Sequence, residues 1–311
     1  MSPALTLVSL RQGVRRTLDR HGKWVIILPP MLFLLVFFLI PFLFAFKISF
    51  ADSDISIPPF TKMFSTTADN HINITLGLDN YNRLFFSDDL YAASYLYSLR
   101  TAFFSTMICL LIGYPMAYAM SRAKKTTQNL LLLIIILPFW TSFLLRVYAL
   151  ESIIRENGLL NTALLWLGII DHPLQIMRTT VAVYLGIIYS YLPFMILPLY
   201  ATLEKLDNTL LEAASDLGRR PWRSFFEITL PLSLPGVIAG SMLVFIPAVG
   251  EFVIPQLLGG PNSLMIGRVL YDEFFSNHDW PMASAVAICF LVLLVGPIAI
   301  YQYYNVKQQE Q

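Results

Sequence analysis

Two places in the sequence hold residues that could do chemistry. One is a carboxylate set in an oily run. Glu251 stands in PAVGEFVIP, with Gly250, Pro247 and Pro255 around it. Burying a charge in hydrocarbon costs several kcal/mol, so an ionisable residue there marks a function unless it is paired. The glycine and prolines predict a broken helix, whose freed carbonyls could help to hold a cation. An ion pair with an arginine of another run, such as Arg146, explains Glu251 equally well, although Arg146 could also extend its guanidinium to an interface. Aromatic residues supply a second line. Trp140, Tyr148, Tyr184, Tyr189, Tyr191 and Tyr200 offer ring faces, each worth about 0.5–2 kcal/mol against a cation. Tyrosine and tryptophan also serve as interface belts and packing. Trp140 stands apart, in mid-run after Pro138 and beside Thr141 and Ser142.

The second place is polar. LEAASDLGRRPWRSFFEITLPL runs from Leu211 to Leu232 between two oily runs. Thr209 and Glu212 have capping-box spacing. Ala213 and Ala214 favour a helix, and Gly218 suits the left-handed position that ends one. Pro221 suits the first turn of a second helix, which Leu230-Pro231 is expected to close. Leu210, Leu211, Leu217, Phe225 and Phe226 form an apolar set with no use in water. A short amphipathic helix carrying such residues is the ligand half of a helix-in-groove interface, so a partner should carry the groove.

Composition sets the class of element that must position these residues. Of 311 residues, 56% are hydrophobic and only 13% are charged. A soluble domain carries about a quarter charged residues. The reading is an all-α integral membrane protein. Six runs reach the ~20 residues that a spanning helix needs. They are Val25–Phe46, Thr101–Met120, Leu130–Ala149, Val181–Leu203, Leu234–Leu258 and Met282–Tyr304. The first is too long for a cleaved signal core and lacks a small-x-small site, so it reads as a retained anchor. Lys and Arg fix the orientation. One side collects thirteen of them, from Arg11, Arg15, Arg16, Arg20 and Lys23 to Lys307, and the other side collects eight. Both termini and the polar stretch are therefore expected to be cytoplasmic. The opposite segments, Lys47–Arg100, Leu150–Thr180 and Gly259–Pro281, are mildly acidic, and most of that acid reads as solvated loop charge. NGLLNTALLWLG, within the second of them, reads as an amphipathic helix on the membrane surface. The expected layout is a basic segment at 1–24, a six-span domain at 25–304 with the polar loop at about 204–233, and a tail at 305–311.

Other chemistries find little support. There is no GxxxxGK[ST] phosphate loop. The four histidines are scattered without ligand spacing, and both cysteines, Cys109 and Cys289, lie in apolar runs. A net charge of +1 gives no pull toward nucleic acid. A stand-alone secondary transporter would call for internal repeats or several intramembrane charges, and it has little use for the apolar polar-side loop.

Glu212-Ala-Ala-Ser-Asp-Leu-Gly218, followed after nine residues by Ile228-Thr-Leu-Pro231, resembles the EAA loop. That loop marks the MetI-like permease subunits of type I ABC importers, the inner-membrane components of binding-protein-dependent transport. The resemblance extends from the first span to the last. It implies that Glu212, Ala213, Ala214, Gly218, Ile228, Leu230 and Pro231 couple the spans to an ATP-binding subunit. LPFWTSFLLRVYAL, GLLNTALLWLGIID, LPFMILPLYATLEKLD and HDWPMASAVAI are similar to polyamine importer permeases. FIPAVGEFVIPQLLGGP looks more like the putrescine-importer type than the spermidine type. The resemblance implies a bacterial inner membrane location, no cofactor in this chain, and ATP and Mg bound by partners. Those partners would be two ATP-binding subunits, a second permease, and a periplasmic polyamine-binding protein. It also implies a substrate pathway in which Glu251, Trp140, Tyr148, Tyr189 and Tyr191 are the candidates.

Overall fold

In a computed structural model the chain is described over residues 24, 26–61, 64–66, 72–74, 77–207, 209–261 and 263–309. The basic residues Arg11, Arg15, Arg16, Arg20 and Lys23 lie outside that set. Among the described residues the architecture is helical apart from one small two-stranded antiparallel sheet. In chain order come α1 (Ile26–Ile48), strands β1 (Phe64–Thr66) and β2 (Ile72–Ile74), and α2 (Asp79–Asn82). Next are α3 (Asp89–Arg122), α4 (Lys125–Ile136), α5 (Phe143–Ile154), α6 (Leu159–Trp166) and α7 (Thr180–Leu203). The last are α8 (Thr209–Asp216), α9 (Pro221–Val249), α10 (Val253–Leu257), α11 (Ile266–Tyr271) and α12 (Trp280–Gln309).

Among the described residues, α1, α3, α7 and α9 are each long and apolar enough to cross a bilayer. A fifth crossing exists only as a bent pair, in which Lys125–Trp140 and Phe143–Trp166 meet at 97°. The straight third span expected at Leu130–Ala149 is thus corrected to a sharp bend. Its cause is local. Pro138 cannot donate to the helical ladder. The chain tightens to a 3-10 turn over Leu137–Trp140 and then extends at Thr141 (φ −95°, ψ 152°). The Thr141 N–H and hydroxyl both donate to the Pro138 carbonyl, at 3.1 and 2.7 Å, and close the corner. α12 is the remaining apolar helix, and Trp280–Gly296 is its described apolar part.

The chain divides into two compact units. One joins residues 1–82 to 278–311. In it α1 and α2 pack on α12. The Asn80 side chain is buried and donates to the carbonyls of Ser49 (3.1 Å) and Ala51 (2.7 Å), so the turn after α1 keeps its polar groups paired. The Tyr81 hydroxyl meets Ser49 Oγ at 2.7 Å. Strands β1 and β2 pair antiparallel with Ser65 opposite Asn73.

The other unit is Arg83–Asn277, built on α3, α7 and α9. Cys109, Ala117, Met195, Leu199 and Val244 fill the seam between them and are inaccessible to solvent. Lipid tails are as apolar as these side chains, so close packing rather than water exclusion holds such a seam together. Prolines interrupt the ladder at Pro193 and Pro198 in α7 and at Pro235 and Pro247 in α9. Two hydroxyls near these breaks bond back to carbonyls of their own helix. Thr202 donates to Pro198 O at 2.9 Å and Ser233 donates to Leu230 O at 2.9 Å. The Ser233 hydroxyl also meets the Tyr114 hydroxyl at 2.8 Å, which ties α9 to α3.

Candidate functional site

The polar stretch folds as helix, bend, helix. Asp207, rather than the expected Thr209/Glu212 capping box, opens α8: its carboxylate accepts from the Thr209 N–H at 3.0 Å. That bond and a second from the Thr209 hydroxyl hold the Asp207 carboxyl below its usual value. At the other end Gly218 takes φ +75°, as expected of the motif's glycine. The Gly218 N–H donates to Ser215 O (2.8 Å) and the Arg219 N–H to Ala214 O (3.0 Å). These are the paired bonds of a Schellman turn. Arg219 pairs with Glu227 across the bend.

The second helix does not stop at Leu230-Pro231. It continues from Pro221 to Val249 as one helix of 29 residues. A π-turn over Phe225–Thr229 makes this possible, with the Leu230 N–H donating to Phe225 O, five residues back. Widening the helix one turn ahead of Pro231 relieves the clash that its ring would make with an α-helical carbonyl.

The exposed apolar set also differs from expectation. Leu210, Leu217 and Phe226 face outward, and Trp222 joins them. Phe225 does not. Its ring packs edge-on against Tyr114 (5.6 Å) and Tyr118 (5.8 Å) and fixes the loop to α3. Glu212 and Ala213 are exposed while Ala214 is buried, so the motif's acid lies on the open side of α8.

Glu251 lies just past the end of α9, where the expected break is found: α9 ends at Val249 and Gly250 leaves the helix at φ −88°, ψ 9°. Its side chain is buried. Oε1 accepts from the Val253 N–H (3.0 Å) and the Ile254 N–H (3.3 Å), which starts α10. Oε2 accepts from the Tyr191 hydroxyl. A carboxylate has about four acceptor positions. Three donors leave it one. The break itself rests on α11, because a Cβ on Gly267 would stand 2.2 Å from Gly250 O and 2.9 Å from Glu251 O. Only glycine permits that approach.

Arg146 makes no ion pair with Glu251. Its guanidinium lies over the rings of Phe139 (5.6 Å) and Phe143 (5.8 Å), and its buried Nε has no hydrogen-bond partner among the described residues. Of the aromatic candidates, Tyr191 alone is brought to Glu251. Trp140 is 82% exposed at the bend, and Tyr148 and Tyr189 are about half exposed elsewhere. Tyr200 is buried and donates to Gln128 Oε1 at 3.3 Å, a packing role.

One buried carboxylate escaped the sequence reading, which placed Glu273 among solvated loop acids. It is 9% exposed. Tyr91 donates to its Oε1 at 2.8 Å and Asn277 to its Oε2 at 2.9 Å. Tyr91 is 182 positions away, so only the fold reveals the pair.

Apolar helices joined by a polar helical loop that runs unbroken into a span make this a membrane-spanning helical fold. The solved structure of a bacterial ABC transporter that imports the acidic polysaccharide alginate has this fold. It matches with a TM-score of 0.70 at 16% identity, over 94% of this chain and 98% of that one. The family described as binding-protein-dependent transport system inner membrane component matches residues 109–308, and the chain belongs to that family. Two relatives carry the name spermidine/putrescine transport system permease protein PotB. The Haemophilus influenzae protein is 42% identical over 88% of this chain and 90% of its own length. The Escherichia coli protein is 43% identical over 74% of this chain and 83% of its own length.

Proposed function

We propose that this chain is one half of the transmembrane pathway of an ATP-driven polyamine importer, with putrescine as its first substrate. The observation that carries the reading is the loop. Exposed Leu210, Leu217, Trp222 and Phe226, a Schellman turn at Gly218 and a helix continuous from Pro221 to Val249 make a contact surface attached directly to a span. In this reading α8 seats in a groove of an ATP-binding subunit. Leu210, Leu217, Trp222 and Phe226 supply the contact, and Glu212, Ala213, Ala214, Gly218, Ile228, Leu230 and Pro231 set the shape. The termini and the loop face the cytoplasm, as the Lys and Arg distribution favours. ATP and Mg belong to the two ATP-binding subunits. A second permease completes the pathway, and a periplasmic binding protein delivers the substrate.

The names of the PotB relatives support the substrate class. Glu251 supports it chemically. The carboxylate beside the helix break keeps one acceptor position free, and that position suits an alkylammonium. Trp140, Tyr148 and Tyr189 line the route as exposed ring faces, and Tyr191 holds the carboxylate. Co-expression with the neighbouring transport subunits tests the reading. The tagged chain is expected to bring down a second permease and an ATP-binding subunit. Labelled putrescine should enter cells and be displaced less well by spermidine than by putrescine. Purification of the chain alone, or uptake indifferent to both polyamines, would refute it; preference for spermidine would refute only the choice of putrescine.

A further inference from the structure

Arg146 is an ionisable residue that the structure leaves half-satisfied. A guanidinium offers five N–H donors. Here Nε is buried without an acceptor, and two phenylalanine faces take the charge instead. Both ring centroids lie within the ~6 Å at which a cation is held by a ring quadrupole. Phe139 stands before the 97° bend and Phe143 after it, so the guanidinium bridges the corner.

The rings do not end there. Phe139 packs edge-on against Phe194 at 4.9 Å, and Phe194 meets Tyr191 at 6.0 Å. Tyr191 donates to Glu251. A continuous aromatic wall therefore runs from Arg146 to the buried carboxylate, with a cation at one end and an anion at the other. Ring faces closed by a carboxylate are chemistry that accepts an alkylammonium. In this structure a side-chain cation already occupies the ring end.

We infer that Arg146 is a resident cation held between Phe139 and Phe143, and that one primary ammonium of a linear diamine must displace it from Phe139 to bind along this wall. The inference rests on the polyamine reading above. It gives Arg146 the role of setting affinity: the tethered guanidinium competes with substrate for the Phe139 face, while Phe143 holds the guanidinium alone. It also gives Phe139, which the sequence did not single out, a direct contact with substrate.

The test uses the full permease–ATPase complex in nanodiscs, with labelled putrescine and no binding protein. Arg146→Gln removes the competitor and should lower the half-saturating putrescine concentration about five- to thirty-fold, the ratio that one or two ring–cation contacts support. Phe143→Leu loosens the guanidinium without removing charge and should lower it about two- to five-fold. Adding Phe139→Leu to Arg146→Gln should abolish the gain, because the substrate then loses that ring as well. Unchanged or weaker binding in an assembled Arg146→Gln complex overturns the inference, as does a gain that survives Phe139→Leu. If Arg146→Gln fails to assemble, Phe143→Leu decides: tighter binding supports the competition, and unchanged or weaker binding overturns it. Uptake by cells that carry the wild-type complex and its binding protein is measured alongside. Its failure for both putrescine and spermidine would refute the polyamine reading itself, whereas normal uptake with unaltered variants would refute only the role of Arg146.

Discussion

Gly218 gives the sharpest test of the loop. Its φ of +75° lies in the left-handed region, and a Cβ built there would meet nothing within 4 Å. Any cost of substitution within this chain is therefore backbone strain, not crowding. An L-residue pays about 1–2 kcal/mol in that conformation. Asparagine visits it far more readily, whereas a branched side chain is a severe outlier there. The order of damage should be Asn, then Ala, then Val. Gly218→Asn should leave assembly within about twofold of wild type. Gly218→Ala should cost about 1–2 kcal/mol of turn stability, a factor of about five to thirty in the population of the docked shape. Gly218→Val should open the Schellman turn altogether. The assay measures ATP-binding subunit recovered per tagged permease, together with permease yield and uptake. Yield should hold throughout, since the turn is at the surface, while recovery and uptake fall in that order. Equal damage from Asn and Val would defeat the argument, because it would mean that side-chain contact with a partner, and not φ, governs the site.

Glu251→Gln keeps the shape and removes the charge; because its partners are Tyr191 and two backbone N–H groups rather than Arg146, complex yield should hold while putrescine uptake falls. Loss of assembly, as expected on breaking a buried ion pair worth about 3–5 kcal/mol, would contradict that picture. Gly267→Ala forces a methyl against Gly250 O and should cost about 1–3 kcal/mol, read as a lower melting temperature of the purified complex; an unchanged melt would show that the break is pliable. Asp207 titrates below its usual value when folded, so its cap on α8 is intact above the unfolded value of about 4 and is lost as the pH falls through the folded one. Amide protection at Thr209–Glu212, corrected for intrinsic exchange, should fall in that window in wild type and be low and pH-independent in Asp207→Ala, which has no acceptor.

The parts legible in the sequence were those set by neighbours a few residues away. Apolar length marked the long helices, and Gly218 and the Gly250 break were visible because backbone-permissive residues sit where helices must end. The misreadings share a physical cause. Pro138 marks a corner, but its angle depends on the 3-10 turn and on Thr141 closing back on the Pro138 carbonyl. Pro231 looked like a stop because the sequence gives no sign that a π-turn would absorb it. Glu273 looked solvated because Tyr91, its partner, comes from the far end of the unit. Of the aromatic candidates, only Tyr191 reached the carboxylate, since spacing along a helix does not say which residue lies opposite a break in another one.

The continuity of Pro221–Val249 has a mechanical meaning. At 1.5 Å per residue, its 29 residues make a rod about 44 Å long. One end bears the exposed Trp222 and Phe226, and the other stops at Gly250, beside the buried carboxylate. Tilting such a rod by about 5° about one end displaces the other by about 4 Å, more than the reach of a hydrogen bond. A displacement applied at Trp222 therefore needs no chain of intermediate contacts to be felt at Glu251. The π-turn at Phe225–Thr229, held edge-on between Tyr114 and Tyr118, is placed to act as the fulcrum.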